Sequence, residues 1–103
     1  MDFQKHWADA QRTHLSLTLD GALTFGKFEK LQSFIFELKN TTPKHITFDL
    51  DGVSMIDSSG LGLLIIANEL TGAQKNVTLK YPNEQIQHLF NVCEIEKLMN
   101  IVE

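Results

Sequence analysis

At 103 residues, 43% hydrophobic and 21% charged, the chain has the make-up of one globular domain over residues 1–103, not that of a disordered or low-complexity segment. Its formal net charge of -4, from 13 acidic and 9 basic side chains, argues against a nucleic-acid binder that works by neutralising phosphates. A chain this short also leaves little room for a deep substrate cavity, which favours a binding module over an enzyme.

The first seven residues, Met1 to Trp7, lack the apolar centre of a signal peptide. The longest apolar run, Leu61 to Ala67, is interrupted by Gly62 and falls far short of the roughly 20 residues a membrane span needs. With one cysteine, Cys93, and so no internal disulfide, the expectation is a cytoplasmic protein without direct membrane insertion.

In chain order, an edge strand is expected around Phe3 to Trp7. Leu15, Leu17 and Leu19 alternate with Ser16 and Thr18, the pattern of a half-buried strand, which Asp20-Gly21 is expected to close as a turn. From Phe25 to Lys39, Phe28, Leu31, Phe34, Ile35 and Leu38 recur at helical spacing. Asn40-Thr41-Thr42-Pro43 stops that helix. Most of its phenylalanines (Phe25, Phe28, Phe34, Phe36) are expected in the core, with Phe36 off the main apolar stripe, either partly buried on its shoulder or exposed as a contact patch.

His45 to Leu50 reads as a central strand, and Asp51-Gly52 as a turn before Val53 to Ile56. A second helix should start at Ser58 or Ser59 and run to about Thr71, with Gly72 as its C-terminal cap. It is apolar around most of its circumference, so deep burial is expected. Asn76 to Tyr81 predicts a strand with Val77, Leu79 and Tyr81 on one face. Pro82 breaks it, and Asn83 is placed to cap a third helix bearing Ile86, Leu89, Phe90 and Cys93, the last as an inert core residue. Ile95 to Val102 should pack back as a short helix or strand. The sum is an α/β domain, a small mixed or parallel sheet packed by about four helices.

The chemistry concentrates in Asp57-Ser58-Ser59-Gly60-Leu61-Gly62, which follows the end of a strand and opens a helix. Free N–H groups and a partial positive charge gather at a helix start. A phosphate there, carrying roughly -1.5 to -2 charge, would be tolerated by its own helix and felt by whatever docks on it. The alternative reading is plain helix capping, for which Asp and Ser are equally suited.

Other chemistries fit less well. Gly60-Leu61-Gly62 lacks the third glycine of a dinucleotide loop and the lysine of a phosphate loop, and Ile56 stands where a nucleophile elbow needs glycine. His6, His14, His45 and His88 have no metal-ligand spacing. Asp49, Asp51 and Asp57 could suggest an acidic magnesium pocket, but no lysine stands at a later strand end to complete it. Ser58 or Asp57 as an enzyme nucleophile would lack a general base within the motif.

The stretch Ile46 to Leu70, with its Phe-Asp-Leu-Asp-Gly-Val-Ser-Met-Ile-Asp-Ser-Ser-Gly-Leu-Gly-Leu-Leu core, closely resembles the STAS domain family, most of all the bacterial anti-sigma factor antagonists. The order of elements agrees over nearly the whole chain, including Leu-Thr-Leu-Asp-Gly before the first helix. The resemblance implies that Ser58 is the phosphoacceptor of a serine protein kinase and that Asp57, Ser58, Ser59, Gly60 and Leu61 form the partner-binding helix start. It further implies a non-enzymatic protein without cofactor. Unphosphorylated, it would bind a kinase-type anti-sigma factor; phosphorylation would end that binding and a serine phosphatase would restore it.

One departure stands out. Where the antagonists usually carry an acidic stretch after the Asp-Gly, this chain has Ala22-Leu23-Thr24-Phe25, closer to the STAS domains of anion transporters. That supports an alternative: a STAS subunit or regulator of a membrane transport complex, with Ser58 only a helix cap.

Overall fold

The computed structural model describes residues 1–41 and 43–103. The part of the predicted helix stop that falls on Thr42 lies outside the described residues.

Alternating leucines build β2 (His14–Leu23), and the apolar-alternate run after Lys44 builds β3 (His45–Ile56). These two pair in parallel. β1 (Asp2–Trp7) lies antiparallel on the outer side of β2, while β4 (Val77–Lys80) and β5 (Asn100–Val102) continue the parallel sheet beyond β3. The strand order is therefore β1-β2-β3-β4-β5. Helix α1 (Glu29–Glu37) joins β2 to β3, α2 (Ser58–Leu70) joins β3 to β4, and α3 (Glu84–Val92) joins β4 to β5. Right-handed crossovers that always step the same way place all three helices on one face of the sheet.

Burial follows that arrangement. Leu15, Leu17, Leu19, Ile46, Phe48, Leu50, Val77 and Leu79 point into the helix-covered face and are fully buried. They meet Leu31 and Ile35 of α1, Leu64 and Ala67 of α2, and Ile86 and Phe90 of α3 in one core. The other face carries the alternate polar residues, among them Ser16, Thr18, Thr47 and Thr78.

Several sequence expectations are corrected. Neither Asp20-Gly21 nor Asp51-Gly52 turns the chain; both lie inside long paired strands. Asp20 pairs with Gly52 and Gly21 with Val53, with register irregularities on either side. The two pairs accommodate each other: Gly21 takes a φ of 109°, and a Cβ on Gly52 would come within 2.9 Å of the Leu19 carbonyl oxygen. What reads as two turns is a bulged seam, and β2 and β3 run on to Leu23 and Ile56.

Helix α1 starts at Glu29, not Phe25. Gly26, at φ 80°, sits in a turn closed by the Lys27 N–H to the Thr24 carbonyl, and Phe25 is turned outward, 82% exposed. Phe28 is in the core, Phe34 is half-buried against it, and Phe36 is exposed. Helix α2 buries Leu61, Leu63, Leu64 and Ala67 but leaves Ile66 exposed. Tyr81 lies past the end of β4 at φ 60°, so it leaves the face of Val77 and Leu79 and is exposed. Helix α3 ends at Val92; Cys93 is its C-cap and is exposed, since Glu94 turns the chain away at φ 54°. The described residues hold three α-helices and two 3₁₀ turns (Leu38–Asn40 and Ile95–Lys97).

Asn83 caps α3 as its sequence position predicts, its side-chain oxygen accepting from the Ile86 N–H at 2.8 Å. Its Nδ2 also donates to the Val53 and Ser54 carbonyls, at 3.3 and 3.1 Å, tying α3 to β3. Asn83→Ala removes both, and urea denaturation should show a loss of about 1–2 kcal/mol; an unchanged midpoint would contradict the double role.

Candidate functional site

Strands β2 and β3 end side by side, and their ends build the start of α2. Asp57 holds an extended conformation as N-cap of α2. Its Oδ1 accepts from the Gly60 N–H at 2.9 Å and from the Ser59 hydroxyl at 2.6 Å. Its Oδ2 accepts from the Phe25 N–H at 2.9 Å, across from the loop that follows β2. One carboxylate thus satisfies the helix start and pins the β2–α1 loop to it. The Ser59 hydroxyl, then the Phe25 and Gly60 N–H groups, stabilise its charged form and lower the Asp57 pKa to about 2.

Gly60 explains how close the two elements come. A Cβ at this position would lie 2.1 Å from the Leu23 carbonyl oxygen and 2.8 Å from Leu23 Cγ. The same carbonyl accepts from the Asp57 N–H at 3.3 Å. The first turn of α2 therefore rests directly on the last residue of β2, a fit open only to glycine.

The five residues singled out from sequence are brought together but are not equivalent. Gly60 and Leu61 are buried and anchor the helix. Asp57 and Ser59 are half-buried and bonded to each other. Ser58 is exposed, and none of the described hydrogen bonds engages its hydroxyl. It stands in the first turn of α2, where the free N–H groups and the helix dipole favour an added negative charge.

Apolar grooves flank this turn. One, of about 360 Å³, is lined by Phe25, Phe28, Gln32, Ser59, Leu63 and Ile66. Another, of about 370 Å³, is lined by Met55, Ile56, Ile86, Leu89 and Val92. The segment from Met55 to Ser59 runs from one groove to the other with Ser58 on the way. Phe25, Met55 and Ile66 are contributors that the periodicity assigned to the core or passed over; the signal for Phe25 was the glycine that follows it.

Asp49, Asp51 and Asp57 do not converge. Asp49 accepts from the Asp51 N–H at 3.0 Å, whereas Asp57 is engaged at the start of α2. Contrary to the sequence expectation, a lysine does stand at a later strand end, Lys80 at the end of β4 opposite Asp49. Among the described residues no group of three or more His, Cys, Asp or Glu side chains is arranged to hold a metal ion, and no helix is long and apolar enough to cross a membrane.

Fold and site together define a small α/β domain that displays one helix N-terminus at the end of a parallel sheet. The chain belongs to the STAS domain family, whose model matches residues 8–103. Among solved structures it is similar to a putative anti-sigma factor antagonist from Thermotoga maritima, with a TM-score of 0.84 at 18% identity over 98% of this chain and 86% of that one. It is also similar to the anti-sigma factor antagonist SpoIIAA in its unphosphorylated form, with a TM-score of 0.75 at 19% identity over 99% of this chain and 88% of that one. The phosphorylated form of the Bacillus cell fate determinant SpoIIAA matches with a TM-score of 0.75 at 20% identity, over 99% of this chain and 92% of that one. No curated protein sequence matches the chain.

Gly60→Ala should cost about 1–3 kcal/mol or more, because the obstacle is backbone and cannot swing aside; thermal unfolding at the wild-type midpoint would refute the fit. Asp57 predicts an acid limb. Its folded pKa, about 2, lies below the ordinary 3.8, so its contribution is present above the ordinary value and is lost as pH falls through about 2. Stability should fall more steeply from pH 4 to pH 2 in wild type than in Asp57→Asn, the lowered carboxyl of Asp9 being common to both.

Proposed function

We propose that this chain is a phosphorylation-switched anti-sigma factor antagonist, a cytoplasmic regulatory domain that binds a serine-kinase-type anti-sigma factor or related regulator and catalyses nothing itself. The observation that carries the reading is the contrast between adjacent hydroxyls. Ser59 is held by Asp57, whereas Ser58 is exposed and uncommitted at the positive end of α2. A kinase can reach Ser58, and the helix start tolerates the phosphate. A partner seated on Phe25, Ile66 and Met55 would meet a new double negative charge at the centre of its contact, and a serine phosphatase would remove it. Asp57, Gly60 and Leu61 serve that interface by holding the turn in place, and Ser58 with the flanking apolar side chains makes the contact. The whole of residues 1–103 acts as one unit in this scheme.

A second reading keeps its own support. The segment Ala22-Leu23-Thr24-Phe25 ends in a phenylalanine that is 82% exposed where an acidic contact would otherwise stand. An apolar knob of this kind suits docking onto a subunit of a membrane transport complex, with Ser58 a passive part of the helix start.

Affinity capture from source-cell lysate with wild type, Ser58→Ala and Ser58→Asp as baits separates the two. The switch reading expects an ATP-binding serine kinase that is held by wild type and Ser58→Ala. Purified kinase with ATP should phosphorylate wild type at Ser58, and Ser58→Asp should bind it at least about tenfold more weakly. Equal retrieval of transport subunits by all three baits would overturn the switch and favour the second reading.

A further inference from the structure

The open face of the sheet, opposite the helices, carries a feature that the Ser58 site does not use. His14 on β2 and His45 on β3 are direct register partners, and both are half-buried. Their rings lie 4.7 Å apart, centroid to centroid, at 50°. Each is tethered to the next strand over: His14 Nε2 lies 3.1 Å from the Thr47 hydroxyl of β3, and His45 Nε2 lies 3.0 Å from the Thr78 hydroxyl of β4. A hydroxyl can donate to or accept from an imidazole nitrogen, so the Nε2 of each ring is satisfied while the ring is neutral. The ladder then stitches three strands together through side chains.

The charges around the pair do not favour two protonated rings. From β1 the same face carries His6, which pairs with Ser16. Further along β3 and β4 it carries Asp49 and Lys80, which are partners of each other. The adjoining turns bring Asp9, Lys44 and Lys75. Asp9 is the nearest acid in sequence, but its carboxylate accepts from the Thr13 N–H and hydroxyl and from the His14 N–H. Among the described residues no carboxylate is paired with either ring.

We propose that His14 and His45 form an acid-sensitive joint between β2 and β3, locked while the rings are neutral and loosened when both must carry charge. Burial of His45, and then the positive charge of a protonated His14, both lower the His45 pKa from its ordinary 6.5. The unfolded chain, with the two rings apart and in water, lacks both penalties on a protonated His45. The sign follows: a histidine whose folded pKa is lowered favours the folded state above the ordinary value, and that advantage shrinks as pH falls below about 6.5. The joint is independent of Ser58 and of any partner.

Two measurements on the full chain test it. In urea denaturation between pH 7.5 and 5, the wild-type unfolding equilibrium constant should rise by up to about tenfold per pH unit below pH 6.5, the signature of one extra proton bound on unfolding. His45→Gln, which keeps an amide able to reach Thr78, should flatten that rise. In an NMR titration of the imidazole signals, the His45 midpoint should move up in His14→Gln. Parallel stability profiles for wild type and His45→Gln would overturn the proposal. So would a His45 midpoint that is the same with and without His14. The NMR arm is read on wild type and His14→Gln from pH 7.5 to 5, so it decides the matter even if His45→Gln folds poorly.

Discussion

The contact between the first turn of α2 and the carbonyl of Leu23 is the constraint on which the rest of the site depends. With no side chain at Gly60, the helix settles onto the end of β2. That brings Asp57 within reach of the Phe25 N–H, and one carboxylate then closes both the helix start and the neighbouring loop. Phe25 is presented outward because its backbone is held there. The exposed hydroxyl of Ser58 is a by-product of the same geometry: Ser59 faces the cap and Ser58 faces solvent. Site display is thus a packing problem solved at one glycine, with the charge chemistry built on top.

The sheet makes that solution durable. β3 is flanked on both sides by parallel partners, and its inward residues Ile46, Phe48 and Leu50 are sealed by the helices. The polar Asp57-Ser58-Ser59 segment hangs from the end of β3, which is paired there with the end of β2. The opposite face is a different environment, open and hydroxyl-rich, with its strands joined by imidazole–threonine contacts in place of apolar packing. One domain therefore holds two chemically separate surfaces, one at the strand ends and one on the sheet.

Much of this was legible in the sequence. The leucine alternation of β2, the apolar run of β3 and the Asn83 cap each follow from a local rule, and the structure keeps them. The Asp-Ser-Ser-Gly segment was legible as a helix start, and its resemblance to the STAS family agrees with the family match. What misled were residues whose local preference is real but was overruled by pairing. Asp20-Gly21 and Asp51-Gly52 prefer turns, yet opposite each other in two long strands they relax into a bulge. Phe25 continued a helical apolar pattern, but Gly26 at positive φ broke the helix off before it. The His14–His45 contact depends on the register between strands that lie far apart in sequence, which no local pattern contains.

The strictly sequential strand order has a kinetic meaning. Every strand lies beside the one that precedes it in the chain, so the sheet contains no partner that must wait for a later segment to be inserted between two earlier ones. Each ladder closes over one helix or one turn, and the entropy of bringing its ends together stays modest. A nascent chain can lay down β1 with β2, then add α1 with β3, then α2 with β4, in the order in which a ribosome releases them. In such a growth sequence the Asp57–Phe25 clasp becomes available as soon as α2 emerges, before β5 exists to finish the edge.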